Sequence, residues 1–514
     1  MELAAPKPEL LRELNRLLRP DQVSASPPDR LSYGRDSCSK TILWIRDNQV
    51  KFPPEAIVWP ESAREVARVA AFANERRIPL VPFGGGSGVC GGTWALRGGI
   101  ALDLKRMGRV LRVDSRRMTA RAQAGINGEL LERELQRRGL TLGHFPSSIY
   151  VATLGGYLAC RSAGQLSSRY GKIEDMVEGM QVVLADGRIV DVGEVSRCPG
   201  ALDLKELFMG SEGTLGIITE ATLRVHAQPE RDAYLGFAFD NLNRGLEAVR
   251  KILQAGLKPA VVRLYDELDT MLFSSYKDEA GEESLLERLN RGLSPVLHWA
   301  KDVSLKLALR RSSWLKQAMR LLPSQCMLIL GFQGSAEAVA QQVERAREIC
   351  RGGKARDLGE KPGRYWLKHR YSVSYKLSPF FDAGYFADTM EVATTWENLR
   401  NLYDQVRGAL SRHALVMAHF SHAYPEGCSI YFTFLGYRDD EAASRALYDR
   451  LWNEGLKACV AARGTISHHH GIGALKAAYM KDEWGSALEW LQRMKARLDP
   501  KGILNPGKLG FADD

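Results

Sequence analysis

The 514-residue chain is 45% apolar and 26% charged, a composition that buries a large core, excludes intrinsic disorder and at this length predicts two or three domains. A formal charge of +10 and an isoelectric point near 9.1 point to an anionic partner, a phosphorylated metabolite or an anionic membrane surface, while the lack of a long Lys/Arg block argues against nucleic acid. No run of about 18 apolar residues is there to span a bilayer; the eight cysteines, Cys38, Cys90, Cys160, Cys198, Cys326, Cys350, Cys428 and Cys459, show no C-x-x-C pairing, as expected of reduced core thiols in a cytoplasmic protein.

The opening MELAAPKPELLRELNRLLRP is charged and amphipathic rather than signal-like. It predicts a short helix at the head of an N-terminal helical extension over 1–49, with a Pro-rich turn around Ser26 to Pro28. YGRDSCSKTILWIRD carries no clear period. From Pro53 the pattern turns to strand, helix, strand: residues 56–59, a helix over 63–77 capped by Ser62 with Glu65 three residues on, and residues 80–83. The second strand runs into VPFGGGSGVCGG, Val81 to Gly92, with six glycines in twelve residues. So bare a backbone touches a ligand through its N–H groups, as a diphosphate cradle does; a tight connection is the alternative. The loop does not fit a G-x-G-x-x-G turn opening a helix, which disfavours a nicotinamide Rossmann site.

Strands over 99–103 and 119–124 precede a helix over 128–138. HFPSSIYVATLGGYLACRSAG, His144 to Gly164, then gathers Ser147, Ser148, Thr153, Gly155, Gly156, Ser162, Ala163 and Gly164. Such a stretch is either a wall of hydroxyls and bare backbone for a large flat polar cofactor or a helix packed through small residues. Residues 182–190 predict a hairpin with a two-residue Asp-Gly turn, and GSEGTLGIITEATLRV, Gly210 to Val225, joins a glycine turn to a strand.

Taken together and in this order, P-F-G-G-G-S, P-S-S with T-L-G-G, and S-E-G-T-L-G-I-I-T resemble the FAD-binding domain, of PCMH type, of the vanillyl-alcohol oxidase superfamily, from about Pro53 to Pro229. The resemblance implies an α+β protein with a two-subdomain FAD-binding domain over 50–229. It implies that Pro82, Phe83, Gly84, Gly85, Gly86, Ser87, Gly88 and Val89, with the segment after Pro146, cradle the FAD diphosphate. Arg161 to Gly164, together with Glu212, Gly213, Thr214, Leu215, Gly216, Ile217 and Ile218, would line the rest of the cofactor. Several members tether the flavin through a histidine in the glycine loop; Gly86 stands at that place, so noncovalent FAD is expected.

Past Glu230 a strand over 235–239, a helix over 243–255 and a strand over 260–265 open an α/β cap domain, 230–440, with further strands over 326–332 and 429–436 in an antiparallel sheet. Between them HWAKDVSLKLALRRSSWLKQAMRLL, His298 to Leu322, sets six cations and two tryptophans against the single acid Asp302. It reads as an interfacial membrane helix or as a solvated helix on the cap.

The C-terminal segment, 441–514, carries TISHHHGIG, Thr465 to Gly473. Bounded by an apolar strand before it and Gly471-Ile-Gly473 after it, this run is a metal site or a proton-handling cluster rather than a loose tract. Neighbouring imidazoles depress each other's pKa and leave neutral bases near pH 7. A metal needs further donors, and the candidates are His419 and His422. In FAD-dependent D-2-hydroxyacid dehydrogenases the corresponding stretches supply a second histidine where Ser429 stands and an E-H-G acid that the histidine run replaces, so no metal is expected.

SHHHGIG, CSIYFTF at Cys428 to Phe434, PAVVRLYD at Pro259 to Asp266, the early IVWP and DTMEVATTW at Asp388 to Trp396 resemble the alkyldihydroxyacetonephosphate synthase family, over nearly the whole chain. The resemblance implies that Tyr431 is the catalytic tyrosine, that His468, His469 and His470 form the essential histidine run, and that Arg263 is an active-site arginine. The family's substrate-binding arginine falls at Leu377, so Lys376 or Arg370 takes over the anionic contact or the substrate differs. The implied reaction replaces the acyl group of acyl-dihydroxyacetonephosphate by a long-chain alcohol, through a flavin adduct and without net redox. His469 would be the base, Tyr431 would handle the proton of the carboxyl or alcohol oxygen, and Arg263 would hold an anionic group. Tyr431 as a core residue and an Arg263–Asp266 pair remain open, as do a homodimer and contact with the cytoplasmic membrane. The alternatives are a D-2-hydroxyacid dehydrogenase or oxidase on the same fold, and a flavin-binding membrane scaffold. LDPKGILNPGKLG, Leu498 to Gly510, resembles the superfamily's ending, where the chain returns to the flavin domain.

Overall fold

The computed structural model describes Leu3 and residues 6–193, 202–274, 306, 309, 325–372 and 378–511. Residues 1–229 with 465–514 make one unit, and residues 230–464 a second.

In the first unit the strands are, in chain order, β1 (Val23–Ser24), β2 (Ala56–Val58), β3 (Leu80–Phe83), β4 (Ile100–Asp103), β5 (Val110–Asp114), β6 (Thr119–Gln123), β7 (Leu140–Thr141), β8 (Val177–Val183), β9 (Ile189–Gly193), β10 (Ile217–Arg224) and β11 (His226–Ala227). One sheet has the order β1-β2-β4-β3, with β4 parallel to both neighbours. Parallel pairing needs a crossover, here the helix Ala63–Arg76, whose first turn is capped by the Ser62 hydroxyl accepting from Glu65 N and whose buried face is Val66, Val69, Ala70, Phe72 and Ala73. Each such buried valine stabilises the unit by about 1.5–3 kcal/mol.

The N-terminal stretch is part of this unit rather than an extension of it. The helix Pro8–Leu17 buries Leu10 and Leu14 in the same core, and β1 pairs with β2. The expected turn at Ser26 to Pro28 is the start of a helix, Pro27–Tyr33, in which Ser26 caps Asp29 N and the prolines fall where no N–H is needed.

The second sheet is antiparallel, β5-β6-β10-β8-β9. Its β8–β9 hairpin closes on three residues, not two. Leu184 N donates to Arg188 O at 2.9 Å and Gly187 N to Leu184 O at 3.0 Å, with Gly187 at φ +85, a turn plus bulge that Asp-Gly serves as well as the tighter one. The tail returns as expected: Leu80 N donates to Ile503 O at 2.8 Å and Asn505 N to Leu80 O at 2.9 Å, beside β3 just before the glycine loop.

The second unit is built on one antiparallel sheet. Its strands are β12 (Arg231–Phe239), β13 (Val261–Tyr265), β14 (Cys326–Gly334), β15 (Arg356–Gly359), β16 (Phe386–Thr395), β17 (Leu415–Ala423) and β18 (Gly427–Gly436), in the order β15-β12-β14-β13-β17-β18-β16. Alternation sorts its side chains. Leu264, Phe420 and Phe432 face the helices Leu242–Gln254 and Leu399–Leu410, where Gly245 backs onto Leu264 and Tyr403 meets both phenylalanine rings. Arg263, Tyr265, His419 and Tyr431 therefore share the opposite face. This unit continues to Gly464, past the expected edge at 440, and so takes in the helix Glu441–Ala461. That helix, not an apolar strand, precedes the histidine run: Leu447, Tyr448, Leu451, Trp452, Leu456 and Cys459 are buried at helical spacing.

Apart from Lys306 and Leu309, the basic segment 298–322 lies outside the described residues, as do Lys376 and Leu377. Among the described residues no helix is long and apolar enough to cross a membrane.

Candidate active site

In the first unit the expected cofactor stretches converge. A Cβ on Gly84 would lie 2.4 Å from Thr153 Oγ1, and one on Gly85 2.1 Å from the Val151 carbonyl oxygen, so these two glycines let the loop lie directly on the 151–153 segment. Thr153 caps the short helix Leu154–Ala159 at Gly156 N. Gly213 abuts Pro82 in the same way, 2.7 Å from a would-be Cβ.

Asp36, in the stretch without a sequence period, clamps the far side of the loop. Its carboxylate accepts from Gly91 N at 2.9 Å, Trp94 Nε1 at 3.0 Å and Cys38 N at 3.1 Å. Burial pushes this carboxyl up to about 7, against those three donors and Lys508. Ser37 holds the carbonyls of Gly88 and Gly86, and Lys105 Nζ donates to Gly84 O at 2.9 Å. With the loop's carbonyls held from behind, the N–H groups of Gly85, Gly86, Ser87, Gly88 and Val89 find no acceptor among the described residues. Gly88 is open, the nearest atom to a would-be Cβ being Asp36 Oδ2 at 3.8 Å. A row of unengaged amides on bare backbone fits the diphosphate of FAD.

Other expected cofactor residues have visible structural tasks. Glu212 is buried, and its carboxylate receives Ile472 N at 2.5 Å and Gly473 N at 2.8 Å; burial raises its pKa, opposed by those amides. Arg161 ties down Met209 O and Glu206. Ser162 Oγ meets His144 Nε2 at 2.9 Å, and Lys495 reaches Thr214 O at 2.8 Å. Ser147 Oγ accepts from Gln165, Ser148 O from Val151 and Ala152, and Ala163, Gly164, Leu215, Gly216, Ile217 and Ile218 pack beneath.

The histidine run is held in the same unit. Besides the grip of Glu212, Leu475 N donates to Cys90 O at 3.0 Å and Lys172 Nζ to His468 O at 2.7 Å. Gly473, at φ +54, leaves room for no side chain against Cys90 O. The run is thus chained to the end of the glycine loop. The Nδ1 atoms of His468 and His469 are 3.2 Å apart, and the ring of His470 stands edge-on to His469 with centroids 4.6 Å apart. At that separation one ring can donate from Nδ1 and the other accept.

In the second unit Arg263 and Tyr431 lie on one face with His419 between them. Across the sheet Tyr265 registers with His419, and His419 with Tyr431. Arg263 donates from Nε to Tyr265 OH at 3.1 Å and from Nη2 to His419 Nε2 at 2.7 Å. It has no carboxylate partner among the described residues. The open pairing with Asp266 is replaced: Asp266 is buried among Tyr403 OH, Ala418 N and Arg407, and burial raises its carboxyl to about 7. Burial, with Arg263 adding to it, lowers His419 to about 4. Tyr431 is half-buried on the arginine face, away from the fully buried Ile430 and Phe432, and burial pushes its phenol up to about 12. Arg370 and Arg263 both lie near one indole, 5.8 and 5.9 Å from the Trp366 ring.

Residues 54–193 match the FAD binding domain model and residues 228–509 the model for FAD linked oxidases, C-terminal domain. The chain is 31% identical over 522 residues to alkyldihydroxyacetonephosphate synthase of Dictyostelium discoideum, covering 98% of this chain and 80% of that one. It belongs to the alkyldihydroxyacetonephosphate synthase family. A solved alkyldihydroxyacetonephosphate synthase structure superposes with a TM-score of 0.78 at 29% identity, covering 99% of this chain and 88% of that one. A more distant relative is the glycolate oxidase subunit GlcD of Bacillus subtilis, 26% identical over 512 residues, 98% of this chain and 97% of that one. As a member of the synthase family the protein is an FAD-dependent synthase-like enzyme.

Proposed function

We propose that the protein exchanges the fatty-acyl group of acyl-dihydroxyacetonephosphate for a long-chain alcohol, forming an ether with no net oxidation. The observation that carries this is Arg263, half-buried and neutralised by no described carboxylate, on one sheet face with a phenol held neutral. The similarity to the synthases over nearly the whole chain supports it. Bound FAD supplies the nitrogen nucleophile that makes an ester next to a ketone exchangeable without net redox.

The chain's own residues bind and move protons. Arg263 spends Nε on Tyr265 and one Nη2 hydrogen on His419, which leaves N–H groups in fork geometry for the substrate phosphate. Arg370, beside the same Trp366 ring, adds a second cation. Tyr431, uncharged at neutral pH, can give its proton to the departing carboxylate and take one from the incoming alcohol. In the His468–His469 pair the ring that donates from Nδ1 keeps, when neutral, a lone pair on Nε2; His469 is the base in this reading.

The test is to incubate the purified holoprotein with palmitoyl-dihydroxyacetonephosphate and labelled hexadecanol, without an oxidant. Labelled ether is the expected product. No ether, with the flavin bleached by D-lactate or D-2-hydroxyglutarate, overturns the reading in favour of a dehydrogenase.

A further inference from the structure

Both nitrogens of His419 are engaged. A guanidinium can only donate, so the 2.7 Å contact from Arg263 Nη2 makes His419 Nε2 an acceptor. The ring proton then sits on Nδ1, directed at Asp269 Oδ2, 3.3 Å away. Its flat face lies on Tyr431, with ring centroids 4.9 Å apart and planes 21° from parallel. Two edges and one face of the imidazole are fixed: by Arg263 and Tyr431 on the strands paired to either side of its own, and by Asp269 on the helix Glu267–Ser274 that follows the Arg263 strand. This arrangement leaves no lone pair on His419 for a metal. It also fixes the arginine, because a long flexible side chain otherwise loses rotamer freedom when it binds an anion.

We propose that His419 is a positioning residue: held in its Nδ1–H form by Asp269, it aims the Arg263 guanidinium at the phosphate dianion of the substrate. This rests on the reading that Arg263 holds that phosphate. The arginine arrives with two of its N–H groups already committed, so the remaining ones point in a fixed direction before substrate enters. Asp269 acts one step further back, by fixing the tautomer.

The experiment compares wild-type holoprotein with His419→Ala, His419→Gln and Asp269→Ala. It measures calorimetric binding of dihydroxyacetone phosphate, which lacks the acyl chain, beside KM and kcat for ether formation, flavin content and Tm. Loss of an acceptor to a charged donor should weaken dihydroxyacetone phosphate binding and raise KM roughly 10- to 100-fold in His419→Ala, with kcat much less affected. His419→Gln, whose side-chain oxygen can receive the same N–H, should recover most of the loss, and Asp269→Ala should fall between. Unchanged binding in folded His419→Ala, or a folded His419→Gln no better than His419→Ala, overturns the proposal; if His419→Ala does not fold, the His419→Gln and Asp269→Ala comparisons decide in the same way. A wild-type protein that binds dihydroxyacetone phosphate through His419 yet makes no ether overturns the synthase reading and leaves this one standing.

Discussion

Tyr431 shows how a single environment sets a role. Burial holds the phenol protonated up to about 12, so it is a neutral proton donor at any pH the enzyme meets. Tyr431→Phe should cut kcat for ether formation by roughly 10²- to 10⁴-fold while the flavin spectrum is retained; an unchanged kcat would remove the phenol from the chemistry. His144 makes a pH-dependent contribution. Burial alone lowers its pKa to about 3, against a ring contact with Tyr157 at 4.6 Å. With the folded value depressed, the unfolded chain takes up the extra proton below its own pKa near 6.5, so the stability from this ring is present above that pH and is lost as pH falls toward the folded value. Between pH 5 and 6 one such histidine contributes about 1 kcal/mol of pH-dependent stability. Urea unfolding of His144→Phe at those two pH values should show a slope shallower by that amount, and an unaltered slope would mean that His144 is charged in the folded protein.

At the scale of elements, the glycine loop was legible as a burst of glycines, but the reasons differ from one glycine to the next. Gly85 is required by the Val151 carbonyl oxygen 2.1 Å from any Cβ, whereas Gly88 has open space above it. Gly85→Ala should therefore destabilise the first unit and lose flavin together. Gly88→Ala should leave the Tm of the apoprotein within about 1 °C of wild type, as surface changes do, and weaken FAD binding at least tenfold by calorimetric titration. Retained affinity would move the diphosphate elsewhere. Asp186-Gly187 marks the hairpin but not its loop length, because one dipeptide serves two turn types. The helix before the histidine run looks like a strand in sequence because a short apolar stretch such as Ala458 to Ala461 fits either period.

Over the whole molecule, what reads from sequence is what lies close together in it: the βαβ start, the glycine loop, the histidine run, and Arg263 and Tyr431 through family motifs. Asp36, Asp269 and Trp366 carry no such signal, and His419 stands out only as a possible metal donor, not as the partner of Arg263. Their partners are distant in sequence, Asp36 reaching Gly91 and Trp94 and Asp269 reaching His419, and a lone residue has no spacing to betray such a contact. Gly86 stands where the tethering histidine of other superfamily members is expected, so unfolding in guanidinium followed by filtration should release the whole flavin content into the filtrate; yellow colour retained on the chain would show a covalent link. The most direct measurement of the central claim is a mass balance on the wild-type holoprotein under anaerobic conditions with palmitoyl-dihydroxyacetonephosphate and hexadecanol. Exchange requires one fatty acid released for each ether formed, with no electron acceptor consumed over many turnovers. Fatty acid or ether appearing alone, or turnover that stops after one flavin equivalent until an oxidant is added, would contradict it.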